Sequence, residues 1–230
     1  MPVRAVTFDV YSAMYDTRTS LAQAVEAFLR RKGLTGDPVE LARSWRQKQR
    51  EFLLIANSLD REPASNRRAI DASLRYALRH LVPTLTDAEV HELTAAWEDL
   101  PPWPEVVDVL RELRRRPLVL ATLSNGDAAM LRALLARLPV PFDHILSSEG
   151  GRFKPHPSVY RKALETLGVS PAEWLHVAGS ATDAMGATAS GIRTLWVNRF
   201  DEVVDDPRFS PAHQAVDLRG VLNVLDAAPS

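Results

Sequence analysis

Four short stretches of this 230-residue chain carry polar residues whose types could act together. A β-branched apolar run over 3–8 ends in Asp9, a carboxylate that could serve as a nucleophile or hold a metal ion. Leu123 leads into Ser124, Asn125 and Gly126, which taken alone are ordinary turn residues. Lys154 lies in Gly150-Gly151-Arg152-Phe153-Lys154-Pro155. It is one of four lysines among 28 basic residues, which hints at a need for a compact ammonium, against the plainer alternative of a solvated surface charge. Asp183 closes Ala178-Gly179-Ser180-Ala181-Thr182-Asp183, where the plain reading is a helix cap. Each signal is weak alone. Their joint order is not, because four consecutive strands would deliver Asp, Ser/Asn, Lys and Asp to one edge of a sheet.

The elements that must position them follow from periodicity. Short apolar runs at 3–8, 118–123, 144–147, 175–178, 194–197 and 215–216 read as buried strands. Val106, Val109, Leu110 and Leu113 keep helical spacing, as do Tyr160, Ala163, Leu164 and Leu167; Met130, Leu131, Leu134, Leu135 and Leu138 mark a third helix. Strands alternating with helices predict an α/β fold, a Rossmann-like doubly wound parallel sheet. From about 20 to 100 only helical patterns occur, at 21–32, 39–59, 67–81 (stopped by Pro83) and 87–99. A crossover needs about a dozen residues, so this region reads as an inserted module, and Pro101, Pro102 and Pro104 mark its return. The expected division is a Rossmann-like core over 1–16 and 101–230 with an α-helical cap over 17–100. Open α/β sheets bind ligands at the carboxyl ends of their strands, which such a cap would roof and keep dry. The tail at 227–230 is expected to fray.

Composition narrows the functions. With 46% hydrophobic and 25% charged residues the chain reads as an ordinary soluble globular protein. A net charge of −1 offers no basic field for nucleic acid or an anionic membrane. Zero cysteines exclude a disulfide framework, Cys-ligated metals and a thiol nucleophile, and fit a reducing cytoplasm. No apolar stretch approaches the roughly 20 residues that a bilayer needs, and no secretory h-region is expected at the N-terminus. The six histidines lack metal-ligand spacing; His176 is expected as a core or strand-edge residue and His156 at the surface. No phosphate-binding glycine loop appears, and the five tryptophans are expected to pack within and between cap and core.

The strand-edge order Asp9, Ser124/Asn125, Lys154, Asp183, with an insertion after the first strand, resembles the haloacid dehalogenase (HAD) superfamily over essentially the whole chain. Phosphatase members of that superfamily carry a second Asp, the general acid, two residues after the nucleophile; here Tyr11 stands there. Asp9-Val10-Tyr11 is similar to the L-2-haloacid dehalogenase branch, as are Ser44-Trp45-Arg46-Gln47-Lys48-Gln49, Leu123–Gly126, and Lys154-Pro155 followed by Tyr160. The resemblance implies hydrolytic dehalogenation of a short 2-haloalkanoic acid through an aspartyl ester on Asp9. Lys154 would keep Asp9 ionised, Asp183 would orient Lys154 and help activate water, and Ser124 and Asn125 would position the carboxylate or ester. Arg46 would grip the substrate carboxylate, Tyr11 and Tyr160 would wall the site, and Ser180 would join the substrate-binding set. No cofactor is implied, and a homodimer is.

The chain also departs from the resemblance. Ser12-Ala13-Met14 stands where the family carries Gly-Thr-Leu, so Ala13 lacks a hydroxyl. Ser180 and Thr182 replace an amide and an aromatic wall, and Arg50, one turn beyond Arg46, replaces an apolar residue. Two alternatives therefore stand beside the first reading: a small-molecule phosphatase with a weak Mg²⁺ site at Asp9 and Asp183, lacking a second acid at Ser180, and a catalytically impaired binding protein, motivated by Ala13, Ala178 and Ser180.

Overall fold

Ala5–Phe8 forms the first strand, β1, buried at every residue because it lies inside a parallel sheet covered on both faces. The computed structural model describes residues 1–59 and 65–227. The other strands are β2 (Val119–Ser124), β3 (His144–Ser147), β4 (Trp174–Ala178), β5 (Arg193–Val197) and β6 (His213–Ala215), all parallel, in the order β3-β2-β1-β4-β5-β6. The last strand falls earlier than the expected 215–216, since His213–Ala215 pair with Leu195–Val197 and Val216 is 78% exposed. The expected fraying of 227–230 concerns residues that, beyond 227, lie outside those described.

The region after β1 is helical: α1 (Thr17–Lys32), α2 (Pro38–Leu59), α3 (Asn66–Leu78) and α4 (Asp87–Thr94). Asp16 accepts the Thr19 amide to start α1, and a Thr86/Glu89 capping box starts α4. Two ends fall short of the periodic pattern. Helix α3 stops at Leu78, whose carbonyl takes both the Leu81 and Val82 amides as the chain turns ahead of Pro83. Helix α4 gives way at Ala95 to a tighter 3₁₀ turn ending at Glu98, which drives Trp97 inward. The two connections to the sheet run side by side: Tyr15 bridges Pro102, Asp16 N–H donates to the Pro101 carbonyl at 3.0 Å, and Trp103 N–H donates to Met14 at 2.9 Å.

The remaining helices, α5 (Val106–Arg114), α6 (Ala128–Leu135), α7 (Pro157–Leu167), α8 (Ala181–Ala189) and α9 (Gly220–Ala227), sandwich the sheet. Val6, Phe8, Leu120 and Val177 pack with α5, α6 and Val221 on one side; Ala5, Ala121 and Leu123 pack with α7 and Ala187 on the other. The first cluster continues through Tyr11 and Met14 into Trp97, Trp45, Ile70 and Phe28, so the inserted helices and the sheet share one apolar core. Trp45 and Trp97 are both fully buried and pack edge to face at 5.8 Å.

Polar contacts also hold the inserted helices down. Asp127, at the start of α6, spends its carboxylate on another helix: it accepts the Asn66 amide at 2.7 Å and the Arg67 amide at 3.0 Å, the free N–H groups of α3. Asn57 of α2 accepts the Phe153 amide and donates to its carbonyl, both at 2.8 Å. Asp127→Ala is expected to cost about 1–2 kcal/mol and to speed hydrogen exchange at the Asn66 and Arg67 amides at least fivefold, without change in the β1 and β4 amides. Unchanged exchange at residues 66 and 67 would show that this contact holds nothing.

Candidate active site

Asp9 leaves β1 with its N–H on the Val177 carbonyl at 2.9 Å, and the chain then coils into one π-helical turn, Val10–Met14. That turn brings the Ser12 amide back onto Asp9 Oδ2 at 3.1 Å, fixing one carboxylate oxygen. It also passes so close to the loop after β4 that a Cβ on Gly179 would stand 2.2 Å from the Ala13 nitrogen, so only glycine fits there.

Lys154 reaches into this edge from the loop after β3. Asn125 clamps its backbone, accepting its amide at 2.7 Å and donating to its carbonyl at 3.2 Å. Its ammonium donates to Asp9 Oδ1 at 3.0 Å, to the Leu123 carbonyl at 2.7 Å and to Asp183 Oδ2 at 2.7 Å, using every proton it has. The side chain is only 4% exposed. Burial alone would push its pKa down; Asp183 and Asp9 more than offset that and raise it.

Asp183 stands in the first turn of α8, with its amide capped by the Ser180 hydroxyl at 3.4 Å. Besides Lys154, its Oδ2 meets His176 Nε2 at 3.0 Å, and its Oδ1 accepts from the Tyr160 hydroxyl at 2.8 Å. Burial opposes ionisation, yet Lys154 and His176 hold the carboxyl well below the usual carboxylate range.

His176 is a site residue that the sequence reading left in the core. It is fully buried there, but it also sits opposite Thr7 in the β1–β4 register, with Nδ1 2.7 Å from the Thr7 hydroxyl. Trp174 Nε1 donates to that same hydroxyl at 2.8 Å. Thr7 therefore has its own proton to give to Nδ1, and the network assigns the ring proton to Nε2, facing Asp183. A histidine inside an apolar strand, seven residues before a carboxylate in the first turn of the next helix, is the sequence signal for this hydrogen-bond chain. His156 caps α7 instead, half-buried and outside the cavity, with Ser158 as its partner.

Above Asp9 is a small cavity of about 60 Å³, lined by Asp9, Tyr11, Ser124, Asn125, Lys154, Ser180 and Asp183, with Arg46 and Arg50 descending from α2. Arg46 donates to Gln49 Oε1 at 2.6 Å and to Ser12 Oγ at 3.1 Å, lies 5.1 Å from the Trp97 ring, and has no ion pair among the described residues. Burial first, and Arg50 second, lower its pKa to about 10. Ser124 accepts the Gly126 amide at 3.2 Å, leaving its hydroxyl proton free among the described residues. Asn125, expected to position the carboxylate or ester, lines the cavity but spends its oxygen on the Lys154 amide and the Ser148 hydroxyl and its amide on the Lys154 carbonyl.

The tyrosines divide. Tyr11 lines the cavity, with its ring edge-on to Trp97 at 5.4 Å, but its buried hydroxyl has no hydrogen-bond partner among the described residues, and burial pushes its pKa up. Tyr160, expected to wall the substrate, stands behind Asp183 and does not line the cavity. Its α7 backbone sets it under the carboxylate, where it serves as a donor.

The carboxylates do not fit a Mg²⁺ ion. Both oxygens of Asp183 and both of Asp9 already accept N–H or O–H donors, Lys154 supplies a positive charge that bridges the two, and no third acidic ligand joins them among the described residues.

A parallel sheet with a carboxylate–ammonium–carboxylate cluster at its carboxyl edge, roofed by helices inserted after the first strand, defines a capped, doubly wound α/β architecture. The family model of haloacid dehalogenase-like hydrolases matches residues 3–191, and the chain belongs to that family. It is 33% identical over 229 residues to an (S)-2-haloacid dehalogenase of Pseudomonas sp. (strain YL), covering 98% of this chain and 96% of that one. A crystal structure of an L-2-haloacid dehalogenase superposes with a TM-score of 0.89 at 31% identity, covering 99% of this chain and all of that one. The L-2-haloacid dehalogenase of Xanthobacter autotrophicus with chloropropionic acid covalently bound gives 0.85 at 26% identity, covering 99% of this chain and 100% of that one.

Asp183→Asn leaves a buried ammonium short of a counter-charge and is expected to cost about 3–5 kcal/mol at neutral pH. Because the folded-state pKa of Asp183 is depressed, its contribution is present above its unfolded value and lost as pH falls through the folded one. The deficit of the variant, measured by urea unfolding, should therefore begin to narrow below about pH 5 and go on narrowing as the solution is made more acid; a constant deficit would contradict the ion-pair assignment.

Proposed function

We propose that this protein hydrolyses a short 2-haloalkanoic acid to the 2-hydroxy acid through a covalent ester on Asp9. The observation that carries the reading is an Asp9 carboxylate bound to a buried ammonium at the floor of a small cavity, which is also lined by the Arg46 guanidinium, without an ion pair among the described residues. An Asp9 oxygen attacks the carbon bearing the halogen; the carbon–halogen pair leaves as halide, and an ester forms. Water then attacks the ester carbonyl, the acyl–oxygen bond breaks, and Asp9 and the hydroxy acid are regenerated with release of one proton.

Lys154 donates to one Asp9 oxygen and Ser12 N–H to the other, and together they aim the carboxylate. Asp183, held by Tyr160 and His176, orients Lys154 and is the neighbouring carboxylate able to draw a proton from the attacking water. Arg46 receives the substrate carboxylate through its planar fork, and Ser124 and Ser180 offer hydroxyls beside it. Tyr11 is no substitute for a general acid, because burial makes its proton harder to lose. A halide needs no protonation on leaving, whereas an alkoxide leaving a phosphate does; this favours the dehalogenase over the phosphatase reading.

No helix among the described residues is long and apolar enough to cross a membrane. The same reading carries no cofactor, a cytoplasmic location and a homodimer; the absence of cysteine supports the reducing compartment, and the family resemblance supports the dimer. Halide release from 2-chloro- and 2-bromopropionate is expected, unchanged by a chelator or by added Mg²⁺, and reduced about 10³-fold or more in Asp9→Asn. Phosphate release from phosphate esters in place of halide release would overturn the reading.

A further inference from the structure

The catalytic cavity is not the only space that Arg46 and Arg50 face. Ser12, Arg46, Arg50 and Ser180 line both it and a second hollow of about 200 Å³ that continues between α1, α2 and the chain around Phe200. The two arginines stand one turn apart on one face of α2, at the junction of the two spaces. Arg50 is half-buried and has no hydrogen bond or ion pair among the described residues. Arg46 has no ion pair among the described residues either, and Arg50 adds to burial in lowering its pKa.

The neighbouring charges offset this only in part: Asp9 and Glu202 favour the charged form of Arg46, but burial and Arg50 outweigh them. Arg43 is held by Glu40 at the surface, and Arg18 stacks on the Phe200 ring at 3.5 Å. Glu202 is the single carboxylate among the residues lining the second hollow; its backbone is fixed through Asn198 and it makes no ion pair among the described residues. Two adjacent guanidiniums exceed what one monocarboxylate can neutralise, and both present forks suited to carboxylate oxygens.

Building on the proposed dehalogenation, we propose that the preferred substrate carries a second carboxylate: a 2-halodicarboxylic acid of four or five carbons, with the carboxylate beside the halogen on Arg46 and the distal one on Arg50 at the mouth of the second hollow. The carboxyl groups of such an acid span a distance comparable with one helical turn, about 5.4 Å, which is the offset of the two arginines along α2. The hollow supplies the length that the 60 Å³ cavity lacks.

The test is halide release from 2-chloropropionate, 2-chlorosuccinate and 2-chloroglutarate by the wild-type protein, Arg50→Leu and Arg50→Lys. A wild-type kcat/KM at least about tenfold higher for one of the dicarboxylates is expected, carried mainly by KM. Arg50→Leu should lose at least about tenfold more on that dicarboxylate than on chloropropionate, with Arg50→Lys between. As a binding measurement free of turnover, succinate should compete with chloropropionate about tenfold better than propionate does, and Arg50→Leu should erase that difference. Turnover of chloropropionate with no dicarboxylate preference and equal competition by succinate and propionate would overturn this inference alone. Absence of halide from all three substrates would overturn the proposed reaction and this inference with it.

Discussion

One ammonium group organises the carboxyl edge of this sheet. Lys154 carries three protons, and each ends on an oxygen supplied by a different strand or the loop after it: Asp9 after β1, the Leu123 carbonyl in β2, and Asp183 after β4. The lysine itself arrives from beyond β3, so four segments distant in sequence must meet within hydrogen-bonding distance. Burying three charges loses several kcal/mol of hydration per ion, and only full pairing with good geometry restores it. The pairing is full. Asp183 is further held by Tyr160 and by the Trp174–Thr7–His176 chain, so the lysine meets a carboxylate that is itself fixed.

The surroundings of this cluster follow from keeping it dry and aimed. The π-helical turn after β1 folds the Ser12 amide onto Asp9 and seats itself against Gly179. The inserted helices close over the edge through Trp97, Trp45 and the Asp127 contacts to α3. Membership of the haloacid dehalogenase-like hydrolases accounts for the scaffold and its carboxylate-bearing edge. Of the departures from the family pattern, Ala13, Ser180 and Thr182 lie at the sheet edge and Arg50 lies on α2 of the inserted helices, lining the same cavity as Ser180 and Thr182.

Much of this was legible from residue order. Apolar runs alternating with helical spacing marked β1 to β5 closely, and the polar residue following each successive strand marked the edge. What escaped depends on tertiary contact. His176 reads as a core residue because its partner Thr7 is 169 positions away and adjacent only through the β1–β4 register. Tyr160 seemed to belong beside the substrate, but the α7 backbone sets it behind Asp183. Asp127 occupies the N-cap position of α6, yet its carboxylate serves the amides of α3, a contact that sequence spacing does not record. The early ends of α3 and α4 follow from carbonyls captured by the turns that come next, which apolar periodicity does not record.

The central claim is that Asp9 is esterified and that water oxygen enters the product by way of its side chain. Many turnovers of 2-chloropropionate in ¹⁸O-labelled water, followed by mass spectrometry of the peptide containing Asp9, test this directly. The account predicts ¹⁸O in the Asp9 carboxyl group after multiple turnovers, and an unlabelled hydroxy acid when a single turnover is run with enzyme in excess. Labelled product from the first turnover with an Asp9 peptide of unchanged mass would mean that water attacks the substrate itself.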